Sequence, residues 1–287
     1  MFFLENKKNQ NISSNKIYGS TKKVILFTNA RNEKNMKEWA AHHLLIGFDS
    51  IFIFDHKSEI PLKKVFNNFD SRVKIMRCNF DNPVKIRLMN VAVSISKLLK
   101  VDWFLYLDAD EFLILNNYNG IKQMLNNFSF AHSLSINWLM FGTNNIVKEP
   151  NGLIIENYIK SEPTLNKHVK CFVRPYEVQN VNNPHYYNVK NNNKMYNIDG
   201  KKMELFSYHA FHENKLFFQN VPAYIAHYFY QSEETYVKRK IQLPQDDTGN
   251  MRGKKDPNIH FHYNDVTNEY PKNKYLENIK LFLKRYE

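Results

Sequence analysis

Apolar and polar positions follow two different periods along the first half of the chain. Four apolar runs have the length of buried strands, at residues 23–28, 50–54, 72–76 and 103–107. Between them, apolar side chains recur at helical spacing over residues 36–44, before Gly47, and over residues 86–99, after Pro83. This alternation predicts an α/β fold with a mostly parallel, Rossmann-like sheet and helices on both faces.

The second half of the chain has a less regular pattern. Three apolar runs predict further strands, at residues 133–142, 170–175 and 224–230. Ser232 and the two acids after it predict the start of a helix, and residues 276–283 carry the apolar stripe of a final helix. Residues 180–199 are polar and rich in asparagine, and residues 244–258 contain prolines and glycines, so both stretches predict loops.

The chain contains no internal repeat and no linker that would divide it. Residues 1–20 are polar and rich in Asn and Lys, which predicts a flexible N-terminal arm. We expect residues 21–287 to form a single domain, because 287 residues with 43% hydrophobic and 15% aromatic side chains can bury a large core. This composition excludes a disordered protein.

From the sequence we expect neither a targeting signal nor a cysteine framework. No run approaches the roughly 18 apolar residues of a membrane span, and Met1-Phe-Phe-Leu is too short for a signal peptide. Cys78 and Cys171 are too few for a disulfide framework or a zinc cluster. We therefore expect a soluble, intracellular protein.

The sharpest chemical signal is the acidic turn that follows the apolar run at 103–107. Asp108, Asp110 and Glu111 end this run, and neighbouring carboxylates beside a core repel each other and are costly to bury. A cation is therefore expected between Asp108 and Asp110, and a hard divalent metal that holds a phosphate-bearing substrate is the obvious candidate. The net charge of +12 favours an anionic partner, although solubility alone also explains it.

Two other polar clusters follow predicted strands, at residues 28–33 and 55–58. In open parallel sheets, ligands bind at the carboxyl ends of the strands. We therefore expect these clusters and residues 108–111 to line one crevice, which makes it the strongest candidate for a binding site.

Several motifs occur in a fixed order along most of the chain: Asn29-Ala-Arg31-Asn32-Glu33, Lys-Glu38-Trp39, Phe54-Asp55, Asp108-Ala-Asp110-Glu111-Phe112, Trp138-x-x-Phe141-Gly142, Lys170 to Pro175, Pro184-His185 and His227-Tyr228 ahead of Ser232-x-Glu234-x-Tyr236-x-x-Lys240. This series resembles the glycosyltransferase family 2 relatives, especially the family 92 type, over about residues 22–270. The resemblance implies a glycosyltransferase A fold with a DxD motif, a UDP-linked sugar donor, Mn²⁺ or Mg²⁺, and inversion at the sugar carbon. One departure is Gln231, where those relatives commonly carry Lys.

The resemblance also implies roles for individual residues. The donor-binding set comprises Thr28, Ala30, Arg31, Glu33, Asp55, Lys85, Arg87, Asn90 and Asp108. Asp110 is expected to bind the metal directly, with Asp108 on the ribose or on the metal through water, and His227 as an additional ligand. Glu111 supports them or caps the next segment. In the alternative interpretation, Asp55 forms a turn, Lys85 and Arg87 lie on a solvated face, and His227 is structural.

An inverting transfer needs a base that deprotonates the acceptor hydroxyl. We favour Asp247 in the predicted loop 244–258, with Asp246, Glu213 and Asp265 as alternatives. The aromatic pair Trp138 and Phe141 forms either a platform for a sugar ring or part of the core.

The predicted function is therefore a metal-dependent glycosyltransferase that moves a sugar from a UDP-sugar to a glycan or protein hydroxyl. Residues 21–130 form the nucleotide-sugar-binding half of the predicted domain, and residues 131–287 form the irregular acceptor-binding half. The alternatives are a metal-dependent nuclease or nucleotidyltransferase and a catalytically inactive, sugar-binding descendant of the fold. No nucleic-acid partner is expected, because the sequence has no helix-turn-helix, zinc-finger or ribonucleoprotein motif.

Overall fold

The computed structural model describes residues 19–203 and 216–287, so the predicted arm at residues 1–20 lies almost entirely outside the described residues. Within these ranges the α-helices are α1 Met36–Leu45, α2 Leu62–Val65, α3 Lys85–Leu98, α4 Ile121–Asn126, α5 Ile154–Asn157, α6 Glu233–Tyr236 and α7 Tyr270–Leu283. The strands are β1 Val24–Ala30, β2 Ser50–His56, β3 Val73–Cys78, β4 Trp103–Tyr106, β5 Glu111–Leu115, β6 Ser133–Met140, β7 Lys160–Ser161, β8 Val169–Val173, β9 Val178–Asn180, β10 Asn188–Val189, β11 Met195–Asn197, β12 Ala223–His227 and β13 Val266–Thr267.

Nine of these strands form one large sheet in the order β3-β2-β1-β4-β8-β6-β12-β5, with β11 beside β6. The pairs β3–β2, β2–β1, β1–β4, β6–β12 and β6–β11 are parallel. By contrast, β8 runs antiparallel to both of its neighbours, and β5 runs antiparallel to β12. The predicted α/β class with a mainly parallel sheet is therefore confirmed, and the architecture is compatible with a glycosyltransferase A-type fold. Strands from residues 21–130 and from 131–287 belong to this same sheet.

The central strand β1 shows why the sheet is covered on both faces. All its side chains are buried, as expected for a parallel strand between two helical layers. Val24 and Leu26 pack into one apolar cluster together with residues of α1 and α7, whereas Ile25 and Phe27 pack into a second cluster with residues of α3. Alternation along one strand thus supplies both halves of the core.

Two parts of the chain differ from the predicted pattern. Residues 111–115 form β5, which could not be recognised locally because its partner β12 lies far away in sequence. The stretch 180–199 was predicted as a surface loop, which is wrong, because it contains β10 and β11 and buries Tyr187 and Met195. Among the described helices, none is long and apolar enough to cross a bilayer.

Candidate functional site

The polar ends of β1, β2 and β4 open onto one cavity of about 380 Å³, within the range of small-molecule sites. Its wall includes Arg31 and Glu33 after β1, His56 at the end of β2, and Asp108 and Asp110 after β4. The three polar strand ends therefore converge, as the sequence predicts, because parallel strands present their carboxyl ends at one edge.

A candidate metal site lies on the wall of this cavity. One ligand atom each from Asp108, Asp110 and His227 lies within 4.8 Å of the other two. The register of β5 against β12 pairs His227 with Glu111, which brings His227 Nε2 to 3.5 Å from Asp110 Oδ1. Two carboxylates and an imidazole form a donor set suited to Mn²⁺.

The state of His227 fits a metal ligand. Both ring nitrogens are buried: Nδ1 has no hydrogen-bond partner among the described residues, and Nε2 has only the long 3.5 Å contact with Asp110, which is costly unless another group binds them. Burial lowers the pKa of His227, although the neighbouring Asp110 opposes this change. The imidazole is therefore neutral at physiological pH, which is the form that binds metals.

Asp108 is held between two buried lysines. Lys85 Nζ contacts Asp108 Oδ1 and lies 3.1 Å from Asn29 Oδ1 and 3.3 Å from Asp246 Oδ2, while Lys170 Nζ lies 3.2 Å from Asp108 Oδ2. Burial opposes ionisation of Asp108, but Lys170 and Lys85 outweigh it and hold its pKa well below the ordinary value. Asp108 is thus a carboxylate at any physiological pH.

Asp110 has a second pair of cations. Its Oδ2 lies 3.1 Å from Arg239 Nη2 and 2.8 Å from Lys240 Nζ, and Arg239 also bonds Glu33 through Nε at 2.7 Å. Burial opposes ionisation of Asp110, but Lys240 and Arg239 hold its pKa well below the ordinary value. Arg239 and Lys240 lie in the π-helical turn Val237–Ile241 that follows α6, and such turns are frequent at functional sites.

Glu111 stabilises the turn that carries the two aspartates. Its Oε2 accepts a hydrogen bond of 2.8 Å from the backbone nitrogen of Asp108, and its Oε1 lies 3.7 Å from Lys170 Nζ. Burial, followed by repulsion from Asp108, raises the pKa of Glu111 to about 8. This contact is of the supporting kind expected from the sequence.

Of the nine residues in the predicted donor-binding set, four lie on the cavity wall: Arg31, Glu33, Lys85 and Asp108. Thr28 and Ala30 are buried within β1. Asp55 is also buried, and its carboxylate accepts hydrogen bonds from the backbone nitrogens of Ser58 and Leu62. The geometry of Asp55 thus matches the turn-forming alternative, and a donor contact for these three stays a prediction.

Arg87 and Asn90 lie on the exposed side of α3. The Arg87 guanidinium stacks on Phe80, with its carbon 3.5 Å from the ring centre, and Asn90 Nδ2 donates to Ile86 O at 2.9 Å. This is the solvated face considered for Arg87 in the alternative interpretation. Lys85 differs, because it is buried beneath the cavity.

The candidate bases have different environments. Asp247 is exposed on the cavity wall, accepts a bond from Thr248 N at 2.8 Å, and forms no ion pair with any described residue. The Asp246 carboxylate is held in place, because its Oδ2 accepts a 2.7 Å hydrogen bond from Asn29 Nδ2 and contacts Lys85 Nζ. Asp265 is exposed, and its side chain forms no part of the described cavity wall. Glu213 lies outside the described residues.

The two proposed platform aromatics differ in exposure. Trp138 is 9% exposed on the cavity wall, where His168 stacks on it at a centroid distance of 5.0 Å. Phe141 is fully buried against Tyr228, with centroids 4.5 Å apart, so it belongs to the core. A platform at Phe141 is therefore wrong, because no face of its ring reaches the cavity.

Sequence reasoning assigned no site role to Lys170, Arg239 or Lys240. A signal existed for Lys170, because a lysine inside the apolar run Val169–Val173 is unusual for a buried strand. Lys240 is the last residue of the family-like motif that begins at Ser232, which was a signal for this position. Arg239 had no comparable signal, since charged residues after a helix start are commonly solvated.

The sheet and the site together define the class of protein: an α/β enzyme fold with a carboxylate–imidazole cluster at the carboxyl ends of parallel strands. Comparison with known proteins supplies the family. The model described as Glycosyltransferase family 92 matches residues 25–267, and the chain belongs to this family. The family predicted from the sequence is thus confirmed.

The individual proteins that the chain resembles share little sequence identity with it. A glycosyltransferase family 92 protein of Oryza sativa subsp. japonica is 24% identical over 225 residues, which is 75% of this chain and 38% of the relative. The chain thus spans less than half the length of that protein. Among solved structures, a mannose-1-phosphate geranyltransferase from Thermus thermophilus shares 9% identity at a TM-score of 0.33, covering 54% of this chain and 58% of that one.

Proposed function

We propose that this protein is a metal-dependent glycosyltransferase that moves a sugar from a UDP-sugar to a hydroxyl of a glycan or protein, with inversion. The observation that carries the proposal is the cluster of Asp108, Asp110 and His227 at the strand ends of a family 92 chain. The donor set of this cluster suits Mn²⁺ or Mg²⁺.

In this proposal, different residues of the chain bind the metal, the nucleoside and the diphosphate. Asp108, Asp110 and His227 would hold the metal, which would supply positive charge beside the leaving diphosphate. Arg31 and Glu33, after β1, lie where the nucleoside of the donor would bind. Lysines that surround the aspartates add positive charge near the diphosphate.

Asp247 is the base in this proposal. Among the described carboxylates on the cavity wall, it is the one without a cationic partner. A carboxylate whose oxygens already bind a cation is less available to take a proton from an acceptor hydroxyl. The exposed Asp247 carboxylate therefore suits removal of the acceptor's proton, and residues 131–287 supply the acceptor side.

A thermal-shift screen of nucleotides and nucleotide sugars, with and without Mn²⁺, tests this function. We expect stabilisation by UDP only when Mn²⁺ is present, together with slow Mn²⁺-dependent hydrolysis of a UDP-sugar that Asp110→Ala abolishes. The absence of a shift with every nucleotide would contradict the assignment. Metal-dependent cleavage of DNA or RNA would favour the nuclease alternative, and UDP binding without hydrolysis or transfer would favour an inactive descendant.

A further inference from the structure

Each of the two aspartates has one cation that is held less firmly than the other. On Asp108, Lys85 is fixed by Asn29 and Asp246 as well. Lys170 lies 3.2 Å from Asp108, and its further contacts are longer: a carbonyl oxygen at 3.3 Å, Glu111 at 3.7 Å and the Trp138 ring centre at 5.7 Å. Lys170 is thus the more easily released of the two lysines.

The same asymmetry occurs at Asp110. Arg239 is fixed because its guanidinium binds both oxygens of Glu33 in addition to Asp110. Lys240 has one carboxylate partner, Asp110 at 2.8 Å, and its side chain is 18% exposed. Its ammonium otherwise contacts only the face of Phe229, 4.7 Å from the ring centre, among the described residues.

Both loosely held lysines line the cavity and have flexible four-carbon stems, so their ammonium groups can change partners without backbone movement. On Asp108, Lys85 and Lys170 hold one oxygen each, so a divalent ion must share an oxygen with one of these lysines. On Asp110, Oδ1 faces His227, and an ion bound there would lie beside the Lys240 ammonium on Oδ2. Like charges repel strongly in a buried site, so the lysines disfavour the metal unless they find other anions. The diphosphate of a nucleotide sugar is such an anion.

We propose that Lys170 and Lys240 are exchangeable counter-ions of the metal site. Without ligands they neutralise Asp108 and Asp110, and when the metal binds they transfer their hydrogen bonds to diphosphate oxygens. Lys85 and Arg239 keep their partners and hold the site's shape. This inference rests on the proposed function, because it requires a diphosphate beside the metal.

The exchange makes binding of the two ligands cooperative. Metal alone must separate two ammonium groups from their aspartate partners, and diphosphate alone must compete with the aspartates for the same lysines. When both ligands bind, the diphosphate takes the lysines and the metal takes the aspartates, so each ligand lowers the free-energy cost of binding the other. Because coupling is reciprocal, Mn²⁺ must tighten UDP by the same factor by which UDP tightens Mn²⁺.

A titration of the full chain with MnCl₂ measures this coupling. Electron paramagnetic resonance reports the free Mn²⁺ at each point, with and without saturating UDP. For the unmodified protein we expect UDP to tighten Mn²⁺ by about tenfold or more. Lys170→Met and Lys240→Met remove the ammonium but keep the stem. They should tighten Mn²⁺ alone by about tenfold and reduce the coupling to about threefold or less. Lys122→Met, which breaks a distant pair with Asp49, is the matched control and should change neither quantity.

The outcomes separate this inference from the function on which it rests. If the unmodified protein binds neither Mn²⁺ nor UDP, both are overturned. If it binds both but without coupling, or if the lysine variants bind Mn²⁺ no better than the control, the exchange is wrong and the glycosyltransferase proposal stands. Should buried Lys170→Met fail to fold by circular dichroism, the partly exposed Lys240→Met decides the question alone.

Discussion

His227 Nε2 lies 3.5 Å from Asp110 Oδ1, although the two residues belong to opposite halves of the chain. The contact follows from the antiparallel register of β12 and β5, in which His227 faces Glu111. A shift of this register by one residue would send the imidazole to the other face of the sheet. Strand pairing therefore sets the geometry of the candidate metal site.

The first prediction concerns these two ligands. His227→Gln should weaken Mn²⁺ binding in the presence of UDP by about 10- to 100-fold, because an amide is a poorer donor than imidazole. Asp110→Asn should weaken it more, since a negative charge is lost. Isothermal titration with MnCl₂ measures both, and Glu277→Gln on the exposed side of α7 is the control. Unchanged Mn²⁺ affinity in both variants would exclude this cluster as the metal site.

The second prediction separates two neighbouring acids. Asp247→Asn should lower kcat by about 100-fold or more, with UDP affinity nearly unchanged, because a general base contributes a factor of this order. Asp246→Asn should instead weaken UDP binding, because the Asp246 carboxylate holds Lys85 and Asn29. Steady-state kinetics with a UDP-sugar, combined with UDP titration, distinguishes the two. The opposite pattern would assign the base to Asp246.

Much of the first half of the fold could be predicted from the sequence, because its signals are local. The strand ends after β1, β2 and β4 carry polar residues directly next to apolar runs, and parallel pairing brings them together without further information. By contrast, β5 was not predicted. The run at residues 224–230 predicted the strand β12, but no local pattern records its pairing with β5 across a long stretch of the chain.

Parts of the site escaped prediction for geometric reasons. Lys85 and Arg87 were assigned the same role, but residues two apart on a helix point about 200° apart, so only one can face the cavity. Arg239 and Lys240 reach Asp110 through a π-helical turn, whose wider winding has no sequence pattern. The positions of these cations therefore required the structure.

The third prediction tests the ion pair between Glu33 and Arg239. Arg239→Met should lower the free energy of unfolding in metal-free buffer by about 3 kcal/mol, because Glu33 loses its cation and Asp110 keeps only Lys240. Adding Glu33→Gln should restore part of this loss, as a double-mutant cycle in urea would show. Lys238→Met, which breaks the exposed pair with Glu234, should leave stability almost unchanged. If the two substitutions lowered the free energy of unfolding by strictly additive amounts, Glu33 and Arg239 would not be coupled.

The fourth prediction concerns a buried acid outside the site. Glu38 in α1 accepts bonds from the backbone nitrogens of Ile154 at 2.7 Å and Ile155 at 3.0 Å, at the start of α5. Burial raises the pKa of Glu38 from 4.5 to about 7, and these two hydrogen bonds only partly oppose it. The folded protein thus keeps a proton that the unfolded chain releases between these pH values.

Because the folded-state pKa is raised, the contribution of Glu38 to stability is complete below pH 4.5 and is lost as pH rises through about 7. The free energy of unfolding should therefore fall across this window by about 3 kcal/mol relative to Glu38→Gln, which cannot titrate. Urea unfolding at several pH values, with Glu277→Gln as an exposed control, measures the difference. If the free energy of unfolding had the same pH dependence in the unmodified protein and in Glu38→Gln, the pKa of Glu38 would be the same in the folded and unfolded states. The carboxylate would then have to be solvated in the folded protein.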